Sequence, residues 1–449
     1  MAATATDAAH RASESGHEIT TLDSGVRVVT ERIPAVRSVA LGFLMDTGSV
    51  TESEQQAGIS HLLEHMLFRG SANYGSEEID QIFDEMGAEL NAGTDKESTS
   101  VYTRVLDGHL ERAFDVMADM VWRPRFEGLE AEREVVLEEI AMYEDDPQDR
   151  VFEEAARAVF GSHPLGRPVI GNAAAVAAID REQLHAYRAS RYTPGSVVIA
   201  AAGSVEHERL VALAERAQGS HEDPPARDTA AEAAARAPVE FAPRRVFLRK
   251  DTEQFHVCVG GAGIGRKDER RFALRVLEGI LGGTSSSRLF QEIRERRGLA
   301  YSVFTYSNLF AASGEVGLYV GTRPENLVEA LEIVAAELRR CVADPADEAE
   351  LARSRENLKG RIVLGLESTS SRMGRLGGSV LAGMPVLSVD EMIERIDAVT
   401  VEDLRELAAE LFAPERLAVA GVGPEQERFE QAIEPLGEPS QAASGERAA

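Results

Sequence analysis

The sequence predicts an α+β fold in two homologous domains, each a mostly antiparallel sheet packed with helices. Three observations carry this expectation. First, the chain repeats itself. The stretch "AIDREQLHAYRASRYTPGSVVIAAAGSVEHERL" from Ala178 matches "AVTVEDLRELAAELFAPERLAVAGVGPEQERF" from Ala398, pairing Leu184 with Leu404, Pro194 with Pro414 and Gly203 with Gly423. A period this long means duplicated domains rather than a solenoid. Second, short alternating or continuous apolar runs mark strands in both copies. Third, long amphipathic segments follow those runs, so helices have a sheet to pack against.

Taken in chain order, the first copy opens with two strand-like runs, "RVVTERI" from Arg27 and "SVALGFLM" from Ser38. A helix-forming segment containing "HLLEHMLFRG" (61–70) comes next, and then a second strand pair in "AELNAGTDKESTSVYTRVL". Amphipathic helices follow, including "LEAEREVVLEEIAMYEDDP" (129–147), and "PGSVVIAAAGSV" closes the copy as a buried strand ending in glycine. The second copy starts at "RVFLRKDTEQFHVCVGG" from Arg245, which lies against "RVVTERIPAVRSVALGF" from Arg27. Between them, "AQGSHEDPPARDTAAEAAARAPVEFAP" is rich in Ala, Pro and charge and reads as a linker. The expected organisation is a disordered tail (1–16), a first domain (17–216), a linker (217–242), a second domain (243–434) and a second disordered tail (435–449).

Bulk properties narrow the function. A formal charge of −28 argues against a nucleic-acid partner, which needs Lys and Arg in excess. No apolar run reaches the length of a membrane span, so no membrane partner is expected. The N-terminal residues have neither the apolar core of a secretory signal nor the Arg-rich character of a transit peptide. Two well-separated cysteines, Cys258 and Cys341, fit a reduced compartment, and the expected location is the cytoplasm. "GGAGIGRK" (260–267) fits neither glycine-rich nucleotide motif, and His163, before a proline, reads as a turn residue.

The chemistry concentrates in HLLEH. His61, Glu64 and His65 stand at i, i+3 and i+4, which puts all three on one helical face. Two imidazoles at that spacing are a ready metal-binding pair, and an adjacent glutamate can serve as base toward a water. In the second copy the same positions, without a gap, are Gly279, Gly282 and Gly283. The scaffold therefore does without the histidines, which points them to chemistry. A catalytic zinc needs a third protein ligand. Along 129–147, Leu129, Val136, Ile140 and Tyr143 define an apolar face that Glu132 and Glu139 share, at about 40° and 60° from Val136, while Glu138 points away. A carboxylate on a buried face is costly unless paired or bound to metal, so both Glu132 and Glu139 call for a partner.

HxxEH is the inverted zinc motif. Together with "GISHLLEHMLFRG", "ELNAGTDKESTSVY", "EREVVLEEIAMYEDDP", "HPLGRPVIG" and "SSRLFQEIRERRGLAYSV", it makes the chain resemble the pitrilysin-like M16 metallopeptidases. The likeness is strongest to their half-size branch, which includes mitochondrial processing peptidase and bacterial homologues. The resemblance implies one zinc ion per chain held by His61, His65 and Glu139. It implies Glu64 as general base, Glu132 as an acidic residue behind the ligands, and Arg294 and Tyr301 as groups that stabilise the substrate carbonyl. Read from the residues alone, Arg294 is a solvated helix residue and Tyr301 a strand core residue. Asn91, Ala92 and Thr94 would offer main-chain groups to an extended peptide substrate. Arg69 stands where the family often has lysine, and keeps the charge. The implied activity is zinc-dependent hydrolysis of extended or unfolded peptides. The implied assembly is a homodimer, or a heterodimer with a paralogue. The alternative is a non-catalytic structural or partner subunit, which usually lacks ligands that are all present here.

Overall fold

In a computed structural model that describes residues 16–217, 233–235, 237–343 and 346–437, the described strands form two sheets. The first contains β1 (Glu18–Thr21), β2 (Arg27–Arg32), β3 (Ser38–Met45), β4 (Leu90–Thr94), β5 (Thr99–Leu106) and β6 (Val197–Gly203), in the order β1-β2-β6-β3-β5-β4. The second contains β7 (Arg245–Arg249), β8 (Phe255–Gly263), β9 (Ala300–Leu309), β10 (Gly314–Thr322) and β11 (Ala418–Gly423), in the order β7-β11-β8-β10-β9. In each sheet one pair is parallel, β2 with β6 and β7 with β11, and every other pairing is antiparallel. The sequence repeat is thus a repeat of topology. The helices that cover these sheets and carry the site include, in chain order, α1 (Ile59–Leu67), α2 (Leu129–Asp145), α3 (Pro147–Phe160), α4 (Arg271–Leu281) and α5 (Thr369–Leu381).

The central strands are buried along their whole length: every residue of β6, β10 and β11 is buried. Such strands need cover on both faces. In the first sheet one face packs on α1 and the helix Leu110–Trp122, with Val39, Leu41, Phe43 and Ile199 meeting Leu62, Leu63, Phe114 and Met117. The other face, Val29, Ala40, Leu44, Val198, Ala200 and Ala202, packs on Met373, Leu376 and Val380 of α5. In the second sheet Val257, Val259, Val316 and Leu318 join the core formed with α4 and the helix Leu327–Ala343. Its opposite face, Cys258, Tyr319, Ala420 and Val422, packs on Val151 and Ala155 of α3.

This changes the domain boundaries. The chain forms two compact units, one of 1–140, 168–233 and 363–389, the other of 141–167, 234–362 and 390–449. Contiguous halves separated at 217–242 do not describe them, because α3 lies in the first half of the chain and belongs to the second unit, and α5 does the reverse. Periodicity shows that a helix has an apolar stripe, not which sheet receives it. The expected tails fall almost wholly outside the described residues, as does most of the expected linker. Among the described residues no helix is long and apolar enough to cross a membrane.

Candidate metal centre

Helix α1 buries Ile59, Leu62, Leu63, Met66 and Leu67 in the first core, which turns His61 and His65 to its other side. Its start is tightly fixed. Gly58, at φ +95°, takes a left-handed conformation where an added Cβ would lie 2.5 Å from the Ile170 carbonyl oxygen. The buried Glu52 carboxylate accepts hydrogen bonds from the backbone N–H groups of Gly58 (2.9 Å) and Ser60 (2.8 Å). An anion at a helix N-terminus is favourable, and these are donors with no partner inside the helix.

Helix α2 supplies the carboxylates. Leu129, Glu132, Val136 and Ile140 are buried, Glu139 is partly buried and Glu138 is exposed, as its helical face requires. The apolar face ends at Ile140, since Tyr143 is 40% exposed and does not continue it. Glu139 Oε2 lies 3.7 Å from His61 Nε2 and 3.5 Å from His65 Nε2. The two imidazole centroids are 4.6 Å apart at 60°. Among the described residues, His61, His65 and Glu139 form the group of His, Cys, Asp or Glu side chains whose ligand atoms converge, all within 4.8 Å of one another.

The donor set fits zinc. Two imidazole nitrogens and one carboxylate oxygen are its usual catalytic ligands, and Zn–N and Zn–O bonds near 2.0–2.2 Å put tetrahedral ligand atoms about 3.4 Å apart. Burial and the neighbouring His65 push the His61 pKa down to about 4, so this imidazole is neutral and its lone pair is available. Behind His65, Glu132 Oε1 lies 2.8 Å from Nδ1. A carboxylate accepts, so Nδ1 carries the hydrogen and Nε2 faces Glu139.

Glu64 sits on the same helix, 9% exposed. Desolvation raises its pKa and the Glu139 charge adds to this, while hydrogen bonds from the side chain and backbone of Thr94 and the nearby His65 oppose it. Thr94 closes β4, an edge strand that among the described strands pairs with β5 alone. Asn91 on this strand is exposed and Ala92 partly so. Asn91 and Ala92 line an open groove of about 370 Å³ together with Glu64, His65, Arg69 and Glu132.

Arg294 and Tyr301 lie in the second unit. Arg294 is in a π-helical turn, Phe290–Glu295, with its guanidinium 4.5 Å from the Tyr301 ring centroid and 4.7 Å from that of Phe290. Tyr301, on the edge strand β9, is 79% exposed, so it is not the core residue that its strand pattern alone predicts. Gly279, Gly282 and Gly283 end α4 under close packing. A Cβ on Gly282 would lie 2.8 Å from the Thr305 backbone nitrogen, and one on Gly279 would lie 2.5 Å from Ser354 Oγ. Gly282 and Gly283 lie beyond the end of α4, whereas Glu64 and His65 lie within α1, so the ungapped correspondence expected from the sequence does not place these glycines at equivalent helical positions.

Three further roles do not follow from the sequence reading. Arg69 holds Glu132 through Nε and Nη2, Glu52 caps α1, and Thr94 serves Glu64. Arg69 stands four residues after His65 but beyond the end of α1, in the turn that follows it.

Fold and site together are of the zinc-peptidase kind: a duplicated α+β unit, one copy carrying convergent His, His and Glu side chains beside a buried glutamate. The family model described as insulinase (peptidase family M16) matches residues 27–173, and that of the peptidase M16 inactive domain matches residues 178–358. A Mycobacterium leprae protein named an uncharacterized zinc protease is 42% identical over 413 residues, covering 90% of this chain and 91% of its own. The uncharacterized zinc protease YmxG of Bacillus subtilis is 39% identical over 406 residues, covering 90% and 97%. The chain belongs to the peptidase M16 family. Among solved structures, a protease from Helicobacter pylori superposes with a TM-score of 0.84 at 22% identity, over 91% of this chain and 100% of that one.

Proposed function

We propose that this protein is a zinc-dependent endopeptidase or oligopeptidase acting on extended peptides. The observation that carries the reading is the spacing of His61 Nε2, His65 Nε2 and Glu139 Oε2, which suits one tetrahedral ion, with Glu64 buried beside them. When bound there, zinc would polarise the scissile carbonyl and acidify a water. Glu64 takes the proton of the attacking water and passes it to the leaving amine, and its raised pKa brings it nearer neutrality, where a base can both accept and return a proton. Asn91 and Ala92, on the free edge of β4, pair with an extended substrate backbone, which aligns the scissile bond along the groove. Arg294 and Tyr301 act on the substrate carbonyl as hydrogen-bond donors. The chain works as a homodimer, a C2 pair being the commonest soluble assembly.

The test is metal analysis and peptide-library cleavage by the purified chain and by Glu64→Gln. The variant should keep one zinc per chain and lose roughly 10²- to 10⁴-fold in turnover. Near-normal cleavage by Glu64→Gln would defeat the mechanism. Light scattering on the same sample tests the dimer, and a fully active monomer would refute it.

A further inference from the structure

Glu132 is a carboxylate with 5% of its side chain exposed, and it divides its two oxygens between two partners. Oε1 faces His65 Nδ1 at 2.8 Å, and Oε2 receives Arg69 through Nε and Nη2. Arg69 is itself anchored. Its backbone N–H bonds the Met66 carbonyl at the end of α1 (3.2 Å), and the following Gly70 carbonyl accepts from Arg125 N–H (3.0 Å). The guanidinium therefore approaches Glu132 from a fixed loop, not from a free side chain on a surface.

Separate partners on its two oxygens fix the plane of a carboxylate, whereas a partner on one oxygen alone leaves it free to turn. Without Arg69, Glu132 could rotate about its terminal torsion and still satisfy His65 with either oxygen, and the imidazole would swing with it. We propose that Arg69 is a positioning residue for zinc binding: it locks the Glu132 carboxylate, which fixes the His65 tautomer and aims His65 Nε2 at the position facing Glu139. The inference rests on the reading of His61, His65 and Glu139 as the zinc ligands. Arg69 also lines the groove, with 43% of its side chain exposed, so a substrate-contact role is the competing assignment that the experiment must separate.

The measurement is the zinc dissociation constant of the full chain, by competition with a chromophoric chelator, beside turnover and the melting of the metal-free protein. Arg69→Met should raise the constant ten- to a hundredfold, the usual cost of losing a partner behind a metal ligand. Arg112→Met, which removes an exposed arginine paired with Glu85 elsewhere in the same unit, should leave it unchanged. Glu132→Gln should weaken zinc by a similar factor, and adding Arg69→Met or Arg69→Lys to it should change little, because Arg69 acts only through Glu132. If Arg69→Met does not fold, comparing Glu132→Gln with Glu132→Gln/Arg69→Lys separates the two roles in the same way. Zinc affinity unchanged in Arg69→Met, with KM raised, would make Arg69 a substrate contact and overturn the proposal. So would losses that multiply in the double variants. Zinc binding that is as tight in His65→Ala as in the wild type would instead sink the underlying metal assignment.

Discussion

Leu376→Ala offers a direct test of how the units are built. Leu376 lies in the second half of the sequence, yet it is fully buried with Leu44, Ala200, Met373 and Val380 on the first sheet. Truncating a fully buried leucine costs about 2–5 kcal/mol, the spread reflecting how far the site collapses. Here two neighbours, Met373 and Leu44, are flexible enough to move inward, which puts the expected cost near the middle, about 3 kcal/mol. At about 1.4 kcal/mol per tenfold, the slowest amides of the affected unit should lose roughly a hundredfold in protection. A chain of two units is not a two-state system, so a single melting curve is the wrong readout and regional hydrogen exchange is the right one. Protection should fall in β2, β3 and β6 and stay in β8, β10 and β11. Val151→Ala on α3, fully buried against Cys258 and Tyr319, should show the opposite distribution. Loss of protection in β8 and β10 from Leu376→Ala would refute the packing of α5 on the first sheet.

Other expectations follow from the site. Glu139→Gln should lose zinc by metal analysis while Glu138→Gln keeps it, because only Glu139 faces the two imidazoles. Glu52→Gln replaces two charge-assisted bonds at the start of α1 with one neutral acceptor and should destabilise the first unit by about 1.5–3 kcal/mol, read by regional exchange on the metal-free protein. Arg294→Ala and Tyr301→Phe should lower turnover in a peptide assay with zinc content unchanged, since neither is among the converging ligand atoms.

Much of this is legible in the sequence because local spacing dictates it. His61 and His65 share a face in any helix, and Glu139 follows the stripe of Leu129, Val136 and Ile140. The strands of the first copy are legible as apolar runs for the same reason. What is not legible depends on distant partners. Nothing in "TSSRMGRLGGSVL" says that Met373, Leu376 and Val380 cover β3 and β6 rather than the sheet of their own half. Periodicity carries the stripe of α2 one turn too far, to Tyr143, because it does not announce where the covering core ends. Tyr301 has a strand's pattern on both sides, and only its edge position leaves it exposed. Arg69 reads as a conservative change until the buried Glu132 gives it a task.

The exchange of α3 and α5 bears on what happens when the chain is severed. Residues 17–216 made alone would leave Val29, Ala40, Leu44, Val198, Ala200 and Ala202 wet on one face of their sheet, while the apolar stripe of Val151 and Ala155 found no host. The half carrying every proposed zinc ligand is therefore not a minimal enzyme. It should be insoluble or self-pairing by reciprocal helix swap, and recoverable as a native-like fold when the complementary fragment is co-expressed.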